Sequence, residues 1–187
     1  MDQITVHLAE GFEEIEAVTI IDVLRRAGLN TCTVSVTGKH MVKGSHQIEI
    51  RADFLFEDVD YSKGMLIILP GGMPGAKHLN EHSGLKSKIV EFQKNGKYLA
   101  AICAAPMVLG NLGILKGKKA VCYPGFESYL IGSDLSTKPF VTDEKIITGR
   151  GVGAALKFSL EIVRILKGEE SAEHLRRIML VDEFLSA

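Results

Sequence analysis

Cys103 stands in the run Tyr98-Leu-Ala-Ala-Ile-Cys-Ala-Ala-Pro106, a thiol between a strand-like apolar stretch and a segment of helical pattern, with only small residues beside it. That is the layout of a nucleophile elbow, where small neighbours let the chain turn sharply and expose the reactive atom at a helix N-terminus. Free N–H groups and the helix dipole there are expected to favour the thiolate and lower the thiol pKa below its reference of about 8.5. A buried cysteine acting as a small hydrophobe fits the same spacing.

A second cluster, Pro70-Gly-Gly-Met-Pro-Gly-Ala76, is rich in glycine. Paired glycines permit positive φ and close approach, so the N–H of Gly72 is a candidate to join that of Ala104 in an oxyanion hole, with Gly71 lining the pocket. A structural turn needs the same glycines. The segment is no phosphate loop, because Gly-Lys-Ser/Thr is missing. Glu13, Glu14 and Glu16 open a helix, where carboxylates are favoured without doing chemistry, and that suffices for Glu13 and Glu14. If Glu16 points at the thiol, the two share a proton, the glutamate pKa rises, and the carboxyl can relay protons.

Two motifs are weaker than they look. Gly149-Arg-Gly-Val-Gly-Ala154 fits G-x-G-x-x-G/A, but it comes too late for a second strand to carry the acidic ribose-binding residue, so no nucleotide cofactor is expected. His78-Leu-Asn-Glu-His82 fits H-x-x-E-H on a helix of about two turns, with no distant third ligand, so no metal is expected either. Cys32 alternates with Val34 and Val36 as an inert buried thiol does. Cys122 precedes Tyr123 and is a candidate resolving thiol for oxidised Cys103.

Positioning these residues requires a particular order of elements. Strand-like runs at 4–9, 31–36, 64–69 and 98–102 alternate with helical patterns at 13–27, 74–81, 85–95 and 104–112. A hairpin is expected at 41–50, a short strand at 120–123, a helical piece at 126–131 and an edge pair at 139–141 and 145–148. Helices at 153–166 and 172–184 follow. This is the grammar of an α/β three-layer sandwich with a mostly parallel sheet, in one domain over 1–187. Ligands of such sheets bind outside the carboxyl ends of the strands, where Glu10-Gly11, Gly71-Gly72, Cys103-Ala104, Tyr123-Pro124 and Arg150-Gly151 would converge.

Composition excludes other classes. Against 22 Lys and Arg stand 23 Asp and Glu, so there is no basic excess for nucleic acid or an anionic membrane, and 6% aromatics is thin for base stacking. No apolar run approaches the roughly 20 residues that span a bilayer. Met1-Asp2-Gln3-Ile4 lacks the features of a signal peptide. Three widely spaced cysteines suit neither a disulfide framework nor a zinc cluster. A cytosolic protein is the expectation.

Together, Ala9-Glu-Gly-Phe-Glu-Glu-Ile-Glu16, Asp22-Val-Leu-Arg-Arg-Ala-Gly28, Leu69-Pro-Gly-Gly72, Ala100-Ala-Ile-Cys-Ala-Ala-Pro106 and Thr148-Gly-Arg-Gly-Val-Gly153 resemble the ThiJ/PfpI superfamily. The resemblance is to the branch that holds the parkinsonism-associated deglycase and its bacterial relatives. It runs over nearly the whole chain and implies a flavodoxin-like fold and a homodimer. It also implies Cys103 as nucleophile, Glu16 as its carboxylic acid, Gly72 and Ala104 as backbone donors, and Arg26 near the dimer-facing side of the pocket. The implied activities need no cofactor: conversion of methylglyoxal to lactate, release of early glycation adducts from proteins or nucleotides, or redox sensing and chaperoning through oxidation of Cys103. The peptidase branch carries histidine directly after the cysteine, where this chain has Ala104. Some relatives carry histidine where Tyr123 stands, and a phenol is a poor base near neutrality.

Overall fold

In the computed structural model, which describes residues 3–181, the expected alternation closes into a layered domain. β1 (Gln3–Leu8) is followed by α1 (Glu14–Arg26) and β2 (Thr31–Ser35), then by a hairpin of β3 (Met41–Lys43) and β4 (Glu49–Arg51) and a short β5 (Phe54–Leu55). β6 (Gly64–Leu69) leads through α2 (Gly75–Glu81) and α3 (Ser83–Lys94) to β7 (Tyr98–Ile102) and α4 (Pro106–Asn111). β8 (Lys119–Ala120), β9 (Asp134–Leu135), β10 (Phe140–Asp143) and β11 (Ile146–Gly149) precede α5 (Ala155–Lys167) and α6 (Glu169–Ile178).

The main sheet has seven strands in the order β10-β11-β7-β6-β1-β2-β5. All neighbours are parallel except β10, which runs antiparallel to β11 at one edge. Without the two edge strands the order is that of a flavodoxin-like, doubly wound sheet. Strand residues divide between two apolar layers by alternation. Leu66 and Ile68 pack with Ile20 and Leu24 of α1 and Phe158 and Ile162 of α5, while Ile67 and Leu69 pack with Leu79, Ile89 and Phe92 of α2 and α3. Buried on both faces, β6 reads as a continuous apolar run for that reason.

Some boundaries differ from expectation. β5 and the single 3-10 turns at Phe56–Asp58 and Tyr61–Lys63 have no periodic signature, being too short to repeat one. The strand expected at 120–123 is only β8, which pairs with β9 outside the main sheet, while the Val121 N–H donates to Thr148 Oγ1 at 3.0 Å. α4 starts two residues later than expected, with Pro106 in its first turn, because residues 103–105 are spent on the turn after β7. Gly168, at φ +88°, separates α5 from α6, which therefore begins earlier than position 172. The expected end of that helix near Phe184 lies outside the described residues.

The β3–β4 hairpin is seated on the start of α1 by Glu14, whose carboxylate is buried. Its Oε1 accepts from the His46 backbone N–H at 2.6 Å, and its Oε2 lies 2.9 Å from His46 Nδ1 and accepts from Ser45 Oγ at 3.1 Å. A Cβ at Gly44 would overlap this carboxylate, so glycine is required there. The sequence reading gave Glu14 only a dipole role; it is a tertiary anchor instead. Burial opposes its charge, but hydrogen bonds from the His46 ring, backbone N–H groups and Ser45 hold its pKa down to about 2. A carboxylate depressed in the folded state contributes stability above its unfolded pKa and loses it as pH falls toward the folded value. Urea denaturation of the parent should therefore weaken steadily between about pH 4.5 and 2. Glu14→Gln should be less stable at pH 7 and show a flatter dependence in that window; equal slopes would remove the anchor role.

Candidate active site

The parallel strands bring the exits of β1, β6, β7 and β11 to one rim. Cys103 leaves β7 with φ +64°, in the left-handed region that a residue with a Cβ rarely occupies. Two hydrogen bonds hold it there. Its N–H donates to the Gly149 carbonyl at 2.9 Å, and its carbonyl accepts from the Tyr123 N–H at 2.7 Å. The sharp turn leaves the sulfur near the backbone N–H groups of Gly72 and Ala104, both of which favour its thiolate form. The elbow expected from the small neighbours is thus present, and the two proposed donors meet at the same atom.

Glu16 comes from the first turn of α1 and is fully buried. Its Oε2 accepts from the Gly71 N–H at 2.8 Å. Its Oε1 is buried without a hydrogen-bond partner, and the Cys103 thiol is the side chain whose hydrogen bonding favours the carboxylate. Gly71 makes this approach available: a Cβ there would lie 2.5 Å from Cys103 Cβ and 2.8 Å from Glu16 Oε2. Gly72, at φ +87°, turns its N–H toward the sulfur in a conformation that suits glycine.

Burial pushes the Glu16 carboxyl up to about 7, against the hydrogen bonds from Gly71 and Cys103. The Cys103 thiol is pushed up to about 12, first by burial and then by the charge and hydrogen bond of Glu16, with Gly72 and Ala104 pulling the other way. The lowered thiol pKa expected from a helix N-terminus is therefore corrected. α4 has only 6 residues, and its end cannot outweigh desolvation and a carboxylate next to the sulfur. Burial raises both groups and the Glu16 charge raises the thiol further, so just above pH 7 the pair holds a single proton.

Other candidates fare differently. The Tyr123 ring is half exposed and lies over Gly151 at the rim. Arg26 sits in the last turn of α1, ten residues beyond Glu16 or about 15 Å along the helix, and pairs with Asp22 on the surface. Within one chain it does not reach Cys103. Cys122 packs in the apolar layer of α2, α3 and α4, whereas Cys103 belongs to the layer of α1 and α5, so a resolving role for Cys122 has no geometric support. Cys32 is buried in β2 and accepts from Gln3 Nε2 at 3.2 Å.

The histidines of His78-Leu-Asn-Glu-His82 are spent on structure. His78 Nδ1 lies 2.9 Å from the Glu10 carbonyl, and His82 Nδ1 accepts from the Leu85 N–H at 3.0 Å as the cap of α3. Among the described residues the group with metal-ligand spacing is Glu13, Glu14 and His46, which is the hairpin anchor already described. The glycine-rich run after β11 opens α5 through a 3-10 turn, and no strand follows it among the described residues. Sequence reasoning missed what this loop does build: facing Tyr123 and Pro124, it walls an open groove of about 550 Å³. Both segments stood out as strand exits, but nothing in their spacing says that they face each other.

Fold and site define a class: a flavodoxin-like domain with a cysteine on a strained elbow, opposed by a buried carboxylic acid. The chain belongs to the DJ-1/PfpI family, whose profile matches residues 2–165. It is 39% identical over 172 residues to protein DJ-1 homolog B of Arabidopsis thaliana, covering 91% of this chain but only 39% of that protein. The chain thus spans well under half the length of that relative. It is 30% identical over 166 residues to a protein named deglycase from Pyrococcus abyssi, covering 85% of this chain and 96% of that one. The structure of oxidized Toxoplasma gondii DJ-1 superposes with a TM-score of 0.92 at 35% identity, over 96% of this chain and 98% of that one.

The close packing across Gly71 yields a direct test. Gly71→Ala should force Glu16 and Cys103 apart and cost about 1–3 kcal/mol of stability by chemical denaturation. It should also change the pH dependence of Cys103 alkylation. An unaltered alkylation profile would show that Gly71 does not set the spacing.

Proposed function

We propose that the chain is a cysteine-dependent enzyme that converts reactive dicarbonyls such as methylglyoxal to hydroxy acids, or removes early glycation adducts, without a cofactor. The observation that carries this reading is the buried Glu16 carboxyl, anchored by one oxygen on Gly71 and set against the Cys103 thiol. Transfer of the shared proton from sulfur to Glu16 creates the thiolate without exchange with solvent, and the Gly72 and Ala104 N–H groups stabilise it. The thiolate attacks the aldehyde carbon, and the oxygen takes up a proton to give a hemithioacetal. Glu16, as carboxylate, removes the former aldehyde hydrogen to form an enediol and returns a proton to the neighbouring carbon, leaving a thioester of the hydroxy acid. Water cleaves that thioester and regenerates the thiol. The sum is one dicarbonyl plus one water giving one hydroxy acid. The relative named deglycase supports the same substrate class.

A homodimer belongs to this reading. Ile15 and Val18 of α1 and Ile48 of the hairpin are 57%, 48% and 58% exposed and offer an apolar surface for a second copy. A second functional reading, redox sensing with a changed chaperone or partner state, is favoured by the oxidized state of the Toxoplasma relative. There peroxide would oxidise the same thiolate to sulfinate, two peroxides being reduced to water for each sulfur.

Purified protein with methylglyoxal should release lactate with no added cofactor. Cys103→Ser should abolish this, and Glu16→Gln should lower kcat by about a hundredfold or more, the usual scale of a lost acid–base group. Full activity in Cys103→Ser ends the mechanism. No turnover, together with stoichiometric sulfinate at Cys103 under mild peroxide, would select the sensor.

The pH dependence follows from the pair. Protonating the pair a second time, below about pH 7, leaves both groups neutral and removes the reactive form. Alkylation of Cys103 by iodoacetamide should therefore rise through about pH 7 and then level off. Glu16→Gln should lose that step. A parent rate that increases through pH 7 without levelling would contradict the shared proton.

A further inference from the structure

We propose that the groove between residues 150–154 and Tyr123-Pro124 is a subsite for an anionic group, a carboxylate or a phosphate, carried by the substrate, and that Arg150 recognises it. This rests on the reading of Cys103 as a nucleophile toward carbonyl compounds.

The groove is tied to that residue through the backbone. Its two walls are the segments tied to the Cys103 peptide groups, through the Gly149 carbonyl on one side and the Tyr123 N–H on the other. The two walls thus flank the backbone that carries the sulfur. At about 550 Å³ the groove has far more room than a three-carbon aldehyde fills. Tyr123, Pro124, Pro139 and Val152 give it apolar walls suited to a short carbon chain. The Tyr123 ring lies over Gly151, where a Cβ would come within 3.2 Å of it, so glycine there keeps the groove open.

Charge sets the class of occupant. Among the described residues Arg150 is the one charged side chain that lines the groove. Its Nη1 donates to the Thr137 carbonyl at 3.0 Å, and no carboxylate among the described residues forms an ion pair with it. Arg25, Arg26 and Arg164, by contrast, each pair with an acid. A guanidinium held by one neutral carbonyl keeps donors available for the planar oxygens of a carboxylate or phosphate. The glycine-rich loop thus serves as a wall for the tail of a small substrate.

Three α-oxoaldehydes test this by kcat/KM: methylglyoxal, which is neutral, dioxovalerate, which carries a carboxylate, and hydroxypyruvaldehyde phosphate. In the parent one or both anionic compounds should be preferred. Arg150→Gln should lower the ratio of anionic to neutral kcat/KM about tenfold, and Arg150→Lys should lower it less. The arm with the larger drop identifies the anion. A second measurement needs no turnover. Levulinate should slow alkylation of Cys103 by iodoacetamide, its uncharged methyl ester should do so far less, and Arg150→Gln should erase the difference. Selective protection by levulinate without turnover of any aldehyde would leave the subsite standing and remove the enzymatic reading. Turnover with no anion preference, or a preference that survives in Arg150→Gln, would overturn the subsite and leave the enzyme. If Arg150→Gln fails to fold, equal protection by acid and ester in the parent still overturns the proposal.

Discussion

The left-handed turn at Cys103 is the constraint on which the rest of the site depends. A residue with a Cβ pays about 1–2 kcal/mol to sit there, and the chain holds it by committing both peptide groups of Cys103 to neighbours. One bond reaches the end of β11 and the other the segment after β8, so a single backbone position draws three sequence regions together. The parallel order β11-β7-β6-β1 supplies the remaining parts, because adjacent strands end on one rim. Gly71 and Gly72 arrive from β6, and Glu16 arrives from the helix after β1. Small residues at 104 and 105 leave the turn uncrowded, and α4 starts only once it is complete.

Electrostatics then does what the turn alone does not. Exposed to water, a glutamate and a cysteine would titrate separately, the first fully ionised and the second fully protonated at neutral pH. Burial brings them into one system by penalising charge on either group. The Gly71 N–H holds one carboxyl oxygen, fixing the side chain without neutralising it, and the other oxygen is buried without a hydrogen-bond partner. Proximity without Cβ hindrance at Gly71 is what keeps the shared proton's path short.

Much of this was legible in the residues, and the parts that were not have definite causes. The strand and helix order shows in the sequence because each buried strand is an apolar run and each surface helix a stripe. The elbow shows because Ala104, Ala105 and Pro106 have few other reasons to follow a strand-end cysteine. The sign of the Cys103 shift does not show, since it depends on how deeply the sulfur is buried and how near Glu16 comes. Arg26 fails as a pocket residue because a helix that starts at the rim carries its last turn away from it. Cys122 fails because it lies beyond a β8 too short to reveal a phase, and the apolar layer that receives it is set by tertiary packing. Glu14 looked ordinary because its partners, Ser45 and His46, are thirty residues away in a hairpin whose seat is tertiary.

The three thiols show why pKa alone is a poor guide to reactivity here. Burial raises all of them, Cys32 and Cys122 to about 11 and Cys103 to about 12, so on that measure Cys103 would be the least reactive. For Cys32 and Cys122 burial comes first, the acids that add to it, Asp53 and Glu127, are not hydrogen-bonded to the sulfur, and the shifts mean inert sulfur. At Cys103 much of the opposing charge lies on the group that can take the proton. Once it does, that repulsion vanishes, and the donors from Gly72 and Ala104 act on the thiolate against burial alone. The same contact that suppresses ionisation in one proton placement permits it in the other. Reactivity at this rim is therefore set by which atom holds one proton, and the fold contributes by burying the acid and the thiol side by side.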